Sequence, residues 1–197
     1  EKAGVSFALF PTYNLPGLRD PRPGWEIYPI RKSRLLAGNL ATLFEKPRAS
    51  LTSLAHAARH RALVPFAVAA TNWRLMRGCD RMHAHFGDSK LFIAYYCHRF
   101  SGLPYSVTIH AHELWRNNMP LFREALGSAD RVWPISDFNA RILMNDFGVP
   151  ADKVTRNYLF VDTELFAPRL AIPSNKVRLL TVASYHKKKG HDLVFRA

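Results

Sequence analysis

From Arg81 onward the chain switches between two hydrophobic periods, and this alternation restricts its fold more than any other feature. Arg81 to His85 reads as a short strand. Ser89 to Phe100 carries Leu91, Phe92, Ala94, Tyr95 and Cys97 at helical spacing. Gly102-Leu103-Pro104 turns the chain into a strand over Tyr105 to His110. A helix is predicted around Pro120 to Leu126, then a strand over Arg131 to Ile135. The next helix runs from Asp137 to Phe147, with Ser136 as its N-cap and Gly148-Val149-Pro150 as its stop. Lys153 to Asn157 reads as one more strand. Strand, helix, strand at this spacing predicts βαβ units on a parallel sheet. Right-handed crossovers then make it a doubly wound, Rossmann-like α/β layer.

The remainder is less regular. Val5 to Phe10 and Glu26 to Ile30 read as strands within a stretch that is rich in Pro and Arg and has little periodicity over residues 11–48. Ser50 to Met76 has helical spacing, with Pro65 expected to kink or divide it. Residues 163–176, with Pro168 and Pro173, read as a linker, and Val177 to Ser184 as a fresh buried strand. A helix is expected to begin at Gly190. Glu1 to Gly4 reads as a helix end and not as a signal peptide, so the chain is expected to be a fragment cut at both ends.

Composition narrows the function classes. Lys and Arg number 28 against 15 Asp and Glu, a formal charge of +13. That admits anionic membrane, nucleic acid or phosphorylated substrate as partner. The aromatic residues do not interleave with the basic ones as a base-stacking platform requires, which disfavours nucleic acid. Cys79 and Cys97 are too few for a disulfide framework and sit among apolar neighbours, as in a reducing compartment. The apolar stretch Leu63 to Ala70 is far short of the roughly 20 residues a membrane span needs.

Four constellations could carry chemistry. His83-Ala84-His85-Phe86-Gly87-Asp88 and His110-Ala111-His112-Glu113 each lie at the predicted carboxyl end of a strand, the edge where open α/β sheets bind ligands. They admit three readings: turn residues, a zinc hydrolase centre, or a polar pocket for sugar and phosphate. The common hydrolase spacing is not met, because Asp88 stands three places after His85 and Ser89 follows it. Ser184 to Asp192, with Lys187, Lys188 and Lys189, joins a predicted strand to a helix start and suits either a diphosphate or a solvated basic loop. Val161 to Phe166 reads as a helical turn that docks Phe166 into a core. Arg59, Arg61, Arg74, Arg77 and Arg81 form an Arg-rich stretch suited to solvent or anionic lipid.

In order and spacing these pieces resemble glycosyltransferase family 4, most closely members of the exopolysaccharide, colanic acid type. The stretches that carry the resemblance are 83–87, 102–114, Ser128 to Val132 with Ile135 to Asn139, 161–166 and 188–192. The resemblance implies a retaining, metal-independent transferase of the hexosyltransferase type with the GT-B fold. Two Rossmann-like domains would face each other, with residues 1–162 on the acceptor side, 163–176 as linker and 177–197 opening the nucleotide-sugar domain. By position, His110 resembles the catalytic His. His85 and Gly87 would line the acceptor side, and His112, Glu113 and Ser136 would shape the pocket. Lys189, with Lys188 and Gly190, would hold the donor diphosphate. No cofactor is implied, since the nucleotide-sugar is a co-substrate. The acceptor would be lipid-linked or a glycan, and the place cytoplasmic, peripheral at the inner face of the cell membrane. The chain alone would be inactive. Two departures stand out. Ala183-Ser184 replaces the Gly-Arg of many relatives, leaving Lys187 or Lys188 to substitute. Tyr158-Leu159-Phe160 separates Asn157 from Val161-Asp162 where relatives have Asn-Gly-Val-Asp.

Overall fold

A computed structural model describes residues 5–12, 26–115, 119–167 and 179–196. The chain divides into two compact units, Glu1–Leu159 and Phe160–Ala197. In the first, β1 (Ala8–Leu9) pairs in parallel with β2 (Glu26–Ile27). Three helices follow: α1 (Leu35–Glu45), α2 (Pro47–Arg59) and α3 (Leu63–Asn72). Then comes the expected alternation: β3 (Met82–His85), α4 (Ser89–Ser101), β4 (Tyr105–Ile109), α5 (Met119–Ser128), β5 (Arg131–Pro134) and α6 (Asp137–Asn145). Strands β3, β4 and β5 form one parallel sheet in that order. The result is the Rossmann-like α/β layer that the two periods predict.

The strand period sorts the sheet into two faces. Tyr105, Val107 and Ile109 point into the core with Leu91, Tyr96, Leu121 and Leu126, and all are buried. The Tyr105 hydroxyl donates to the Ala125 carbonyl at 2.5 Å and so ties β4 to α5. Ser106 and Thr108 occupy the opposite face, in register with His83 and His85 of β3. Both faces therefore follow directly from alternation in the sequence.

Several boundaries differ from the predicted ones. The break in the predicted helix over Ser50 to Met76 falls at His60-Arg61-Ala62, not at Pro65. Arg61 adopts φ 53°, and Pro65 sits in the first turn of α3, where a missing N–H costs no helical bond. The strand expected over Lys153 to Asn157 reduces to a bridge between Val154 and Val132. Thr155 and Asn157 N–H groups still donate to Val132 and Pro134 carbonyls at 3.0 and 2.9 Å. The Arg-rich stretch is not one free basic face: Arg74 and Arg77 both pair with Glu45, and Arg81 pairs with Asp130.

Helix α1 lies in the stretch with little periodicity because its amphipathicity is inverted. Asn39 Nδ2 donates to the Ala67 carbonyl at 2.9 Å, and the Thr42 hydroxyl to the Ala70 carbonyl at 2.5 Å, so polar residues seat the helix on α3. A Cβ at Gly38 would meet Thr71 Cγ2 at 2.7 Å, which explains the small residue. Its apolar side points out: Leu36 is 75 % exposed and Phe44 83 %.

In the second unit, residues 163–166 form a turn in which Asp162 Oδ1 accepts from the Glu164 and Leu165 amides. Phe166 is 68 % exposed, so it does not dock into a core. Of the strand expected over Val177 to Ser184, the described residues 179–184 form none, and Leu180 is 88 % exposed. A strand needs a paired neighbour for its backbone groups, and the described residues of this unit hold no other strand. A 3₁₀ turn, Lys187–Lys189, precedes α7 (His191–Arg196). The expected helix end at Glu1 to Gly4 and most of the expected linker, residues 168–176, lie outside the described residues.

Candidate functional site

The carboxyl ends of β3 and β4 converge on one compact group. β3 ends at His85, and Phe86 takes φ 87°, a left-handed conformation that is strained for an aromatic residue. Its N–H donates to the Thr108 carbonyl at 3.1 Å, and its ring stacks on His110 at 4.4 Å. His85 meets the same His110 ring edge-on at 5.1 Å. Lys90, near the start of α4, lies 5.1 Å over the Phe86 ring and pairs with Asp88 at 2.6 Å. Asp88 also caps α4 by accepting the Lys90 amide at 3.0 Å. The turn is thus held by two strands and one helix start.

Gly87 lets this turn pack down. A Cβ there would stand 2.6 Å from Ile109 Cδ1 and 2.8 Å from Phe122 Cε2. The Gly87 amide donates to Glu113 Oε1 at 3.1 Å, joining the loop after β3 to the loop after β4. Glu113 is buried, and its Oε2 has no hydrogen-bond partner among the described residues. The same holds for His110 Nε2. A buried polar atom left without a partner costs about 1–3 kcal/mol, so two of them at one sheet edge mark a place where a ligand can supply the missing bonds.

His83 is engaged differently. Its Nδ1 lies 2.8 Å from Ser106 Oγ and its Nε2 3.0 Å from Thr108 Oγ1. Loss of solvation lowers the pKa of His83, and the neighbouring His85 adds to it. His85 is lowered first by burial and then by His110. Both rings are therefore held toward the neutral form. A cavity of about 530 Å³ opens beside β3, with His83, His85 and Lys90 among apolar walls that include Phe10, Ile30 and Ile93.

His112 is exposed on the 3₁₀ turn His112–Trp115. The Ser136 hydroxyl caps α6 by accepting the Asn139 amide at 3.2 Å. Lys189 and Gly190 belong to the second unit, where Gly190 takes φ 66°. Their amides donate within the turn, to His186 O at 2.8 Å and Lys187 O at 3.1 Å, so those N–H groups are already used. Lys188 forms the middle of that turn. The sequence reading did not single out Lys90 or Trp133, whose ring lies 5.4 Å from His83. For Lys90 the available signal was the Asp88-Ser89-Lys90 helix start. The four histidines His83, His85, His110 and His112 do not form a metal-ligand group among the described residues.

A family profile described as Glycosyltransferase Family 4 matches residues 16–165. No curated protein matches the chain.

Proposed function

We propose that this chain, which belongs to glycosyltransferase family 4, carries the acceptor side of a retaining, metal-independent hexosyltransferase of polysaccharide biosynthesis. The observation that carries the reading is the pair of buried atoms His110 Nε2 and Glu113 Oε2 at the carboxyl edge of the sheet, neither of which has a hydrogen-bond partner among the described residues. The sugar in transfer offers hydroxyls that can satisfy both atoms. His110 is the catalytic candidate, since its ring is clamped by Phe86 and His85 and its buried Nε2 has no hydrogen-bond partner among the described residues. Clamping removes the rotational freedom that would otherwise be lost on binding. His85 and Gly87 position the turn above it. The apolar cavity beside β3 suits the lipid-linked part of an acceptor better than a bare glycan. On the donor side, Lys189 and Lys188 would meet the diphosphate of a nucleotide-sugar with charge, because the Lys189 and Gly190 amides are engaged in their own turn.

The zinc-hydrolase alternative is not favoured, because the family match points to sugar transfer and the four histidines share no ligand group among the described residues. No described helix is long and apolar enough to cross a membrane. A peripheral place at the inner face of the membrane is supported by α1, whose exposed Leu36, Leu40 and Phe44 are flanked by exposed Arg31, Lys32, Arg34 and Lys46. Apolar insertion and attraction to anionic lipid would act together there. L40D/F44D should abolish co-sedimentation with anionic vesicles, and unchanged binding would refute this surface.

The enzymatic reading is tested on the full-length gene product, incubated with nucleotide-sugars and membrane-extracted acceptors. Release of nucleoside diphosphate that depends on acceptor is the expected result. Hydrolysis of the donor at the same rate without acceptor would contradict it.

A further inference from the structure

The most informative side-chain cluster outside the transferase edge lies on the helical layer. Helix α2 presents His56, and one turn on comes His60, the residue that caps its C-terminus and whose N–H donates to the His56 carbonyl at 3.1 Å. Their ring centroids are 4.4 Å apart. Glu124 reaches them from α5. One ligand atom from each of the three lies within 4.8 Å of the others. The His56 side chain is 16 % exposed and that of Glu124 45 %, so solvent reaches the group from one side.

Two tyrosines of α4 orient the cluster. Tyr96 Oη lies 3.0 Å from His56 Nδ1, and the Tyr95 hydroxyl donates to Glu124 Oε1 at 2.5 Å. Each thereby occupies the atom that faces away from the cluster. His56 Nε2 and Glu124 Oε2 are left facing each other at 2.8 Å.

We propose that His56, His60 and Glu124 form a binding site for one divalent transition-metal ion of the zinc class, a staple that joins α2 to α5 across α4. The site is independent of the transferase reading. Two imidazoles and one carboxylate make a three-ligand tetrahedral set, with water in the fourth position. Nitrogen-rich donors select zinc-like ions over magnesium or calcium, which prefer all-oxygen shells. A partner on the far nitrogen of a ligating His and on the far oxygen of a ligating carboxylate is the outer-shell arrangement that holds such ligands in place. Tetrahedral ligation at about 2.0–2.1 Å sets ligand atoms about 3.3 Å apart. The His56–Glu124 pair therefore needs to open by only about 0.5 Å. In the bound form the neutral His56 ring gives its Nε2 lone pair to the metal and carries its one ring proton on Nδ1, which donates to Tyr96 Oη.

The 197-residue chain, stripped with EDTA and desalted, is titrated with zinc chloride by calorimetry. One equivalent should bind, and Tm should rise with zinc concentration. His60→Ala should abolish the binding, and so should Glu124→Gln, which keeps the shape of a partly exposed side chain if the first variant folds poorly. H83A/H85A should bind like the parent. No stoichiometric binding by the parent overturns the proposal. So does binding retained in both His60→Ala and Glu124→Gln, or binding lost in H83A/H85A. Transferase assays do not enter this test, so its failure leaves the proposed activity standing.

Discussion

The tripeptide His-Ala-His occurs twice, at 83–85 and at 110–112, and the two copies behave differently. In the first it lies wholly within β3. The two-residue period places both rings on one face and buries Ala84 between them, at 4 % exposure. His83 is spent on Ser106 and Thr108. In the second copy the strand has already ended at Ile109, so the chain turns between the two histidines. His110 stays under Phe86 with a buried Nε2 that has no partner among the described residues, while His112 goes to the surface. Identical residues thus give a structural pair in one place and a single candidate for chemistry in the other. The position of the strand end makes the difference.

The sharpest way to break that contrast is kinetic. His110→Ala should lower acceptor-dependent turnover of the full-length gene product about 100-fold or more, the usual worth of a positioned acid, base or strong hydrogen bond. His112→Ala should leave turnover near the parent's value. Equal losses in both variants would erase the distinction.

Next in size is Gly87→Ala. The new methyl would meet Ile109 and Phe122 inside ordinary contact distance. We expect a loss of about 1–3 kcal/mol in chemical denaturation, as for other overpacked sites. Gly127→Ala on α5 is the control, since a Cβ there meets nothing within 4 Å. It should gain up to about 1 kcal/mol from helix propensity. A tolerated Gly87→Ala would show that the turn after β3 is not packed as described.

The smallest effect concerns the first tripeptide itself. Burial lowers the folded-state pKa of His83 and of His85 below the ordinary value of about 6.5. Their unfolded forms then bind more protons as the pH falls, so stability is full above the ordinary value. It declines as pH drops below about 6.5 and levels off below the lowered folded values. H83Q/H85Q should flatten this decline between about pH 7.5 and 5.5. A slope unchanged by the substitutions would mean that other groups set the acid sensitivity.

Much of the fold was legible because it depends on local period. The alternation between β3 and α6, the N-cap at Ser136 and the faces of β4 all follow from residues read in order. Helix α1 was not legible. It turns Asn39 and Thr42 inward and exposes Leu36 and Phe44, the reverse of the usual pattern, because both polar side chains donate to α3 carbonyls, at Ala67 and Ala70. Of the strand expected at Val177 to Ser184, the described residues 179–184 form none, for the opposite reason. Its apolar run is sound, but pairing depends on a neighbour and not on its own residues.

The site divides in the same way. His85, Gly87, His110 and Glu113 could be placed at strand ends from sequence, since strand ends are where the period stops. Their meeting could not, because the Gly87 to Glu113 bond and the stack of Phe86 on His110 join residues more than twenty positions apart. The His56–His60–Glu124 cluster shows this most plainly. Spacing on α2 puts the two histidines on one face, but only the packing of α2 and α5 around α4 brings Glu124 to them. Sequence by itself determined which local periods the chain could adopt, because side-chain direction follows backbone repeat. Tertiary structure decided which polar atoms are buried and left without partners, because burial depends on what the rest of the chain places nearby.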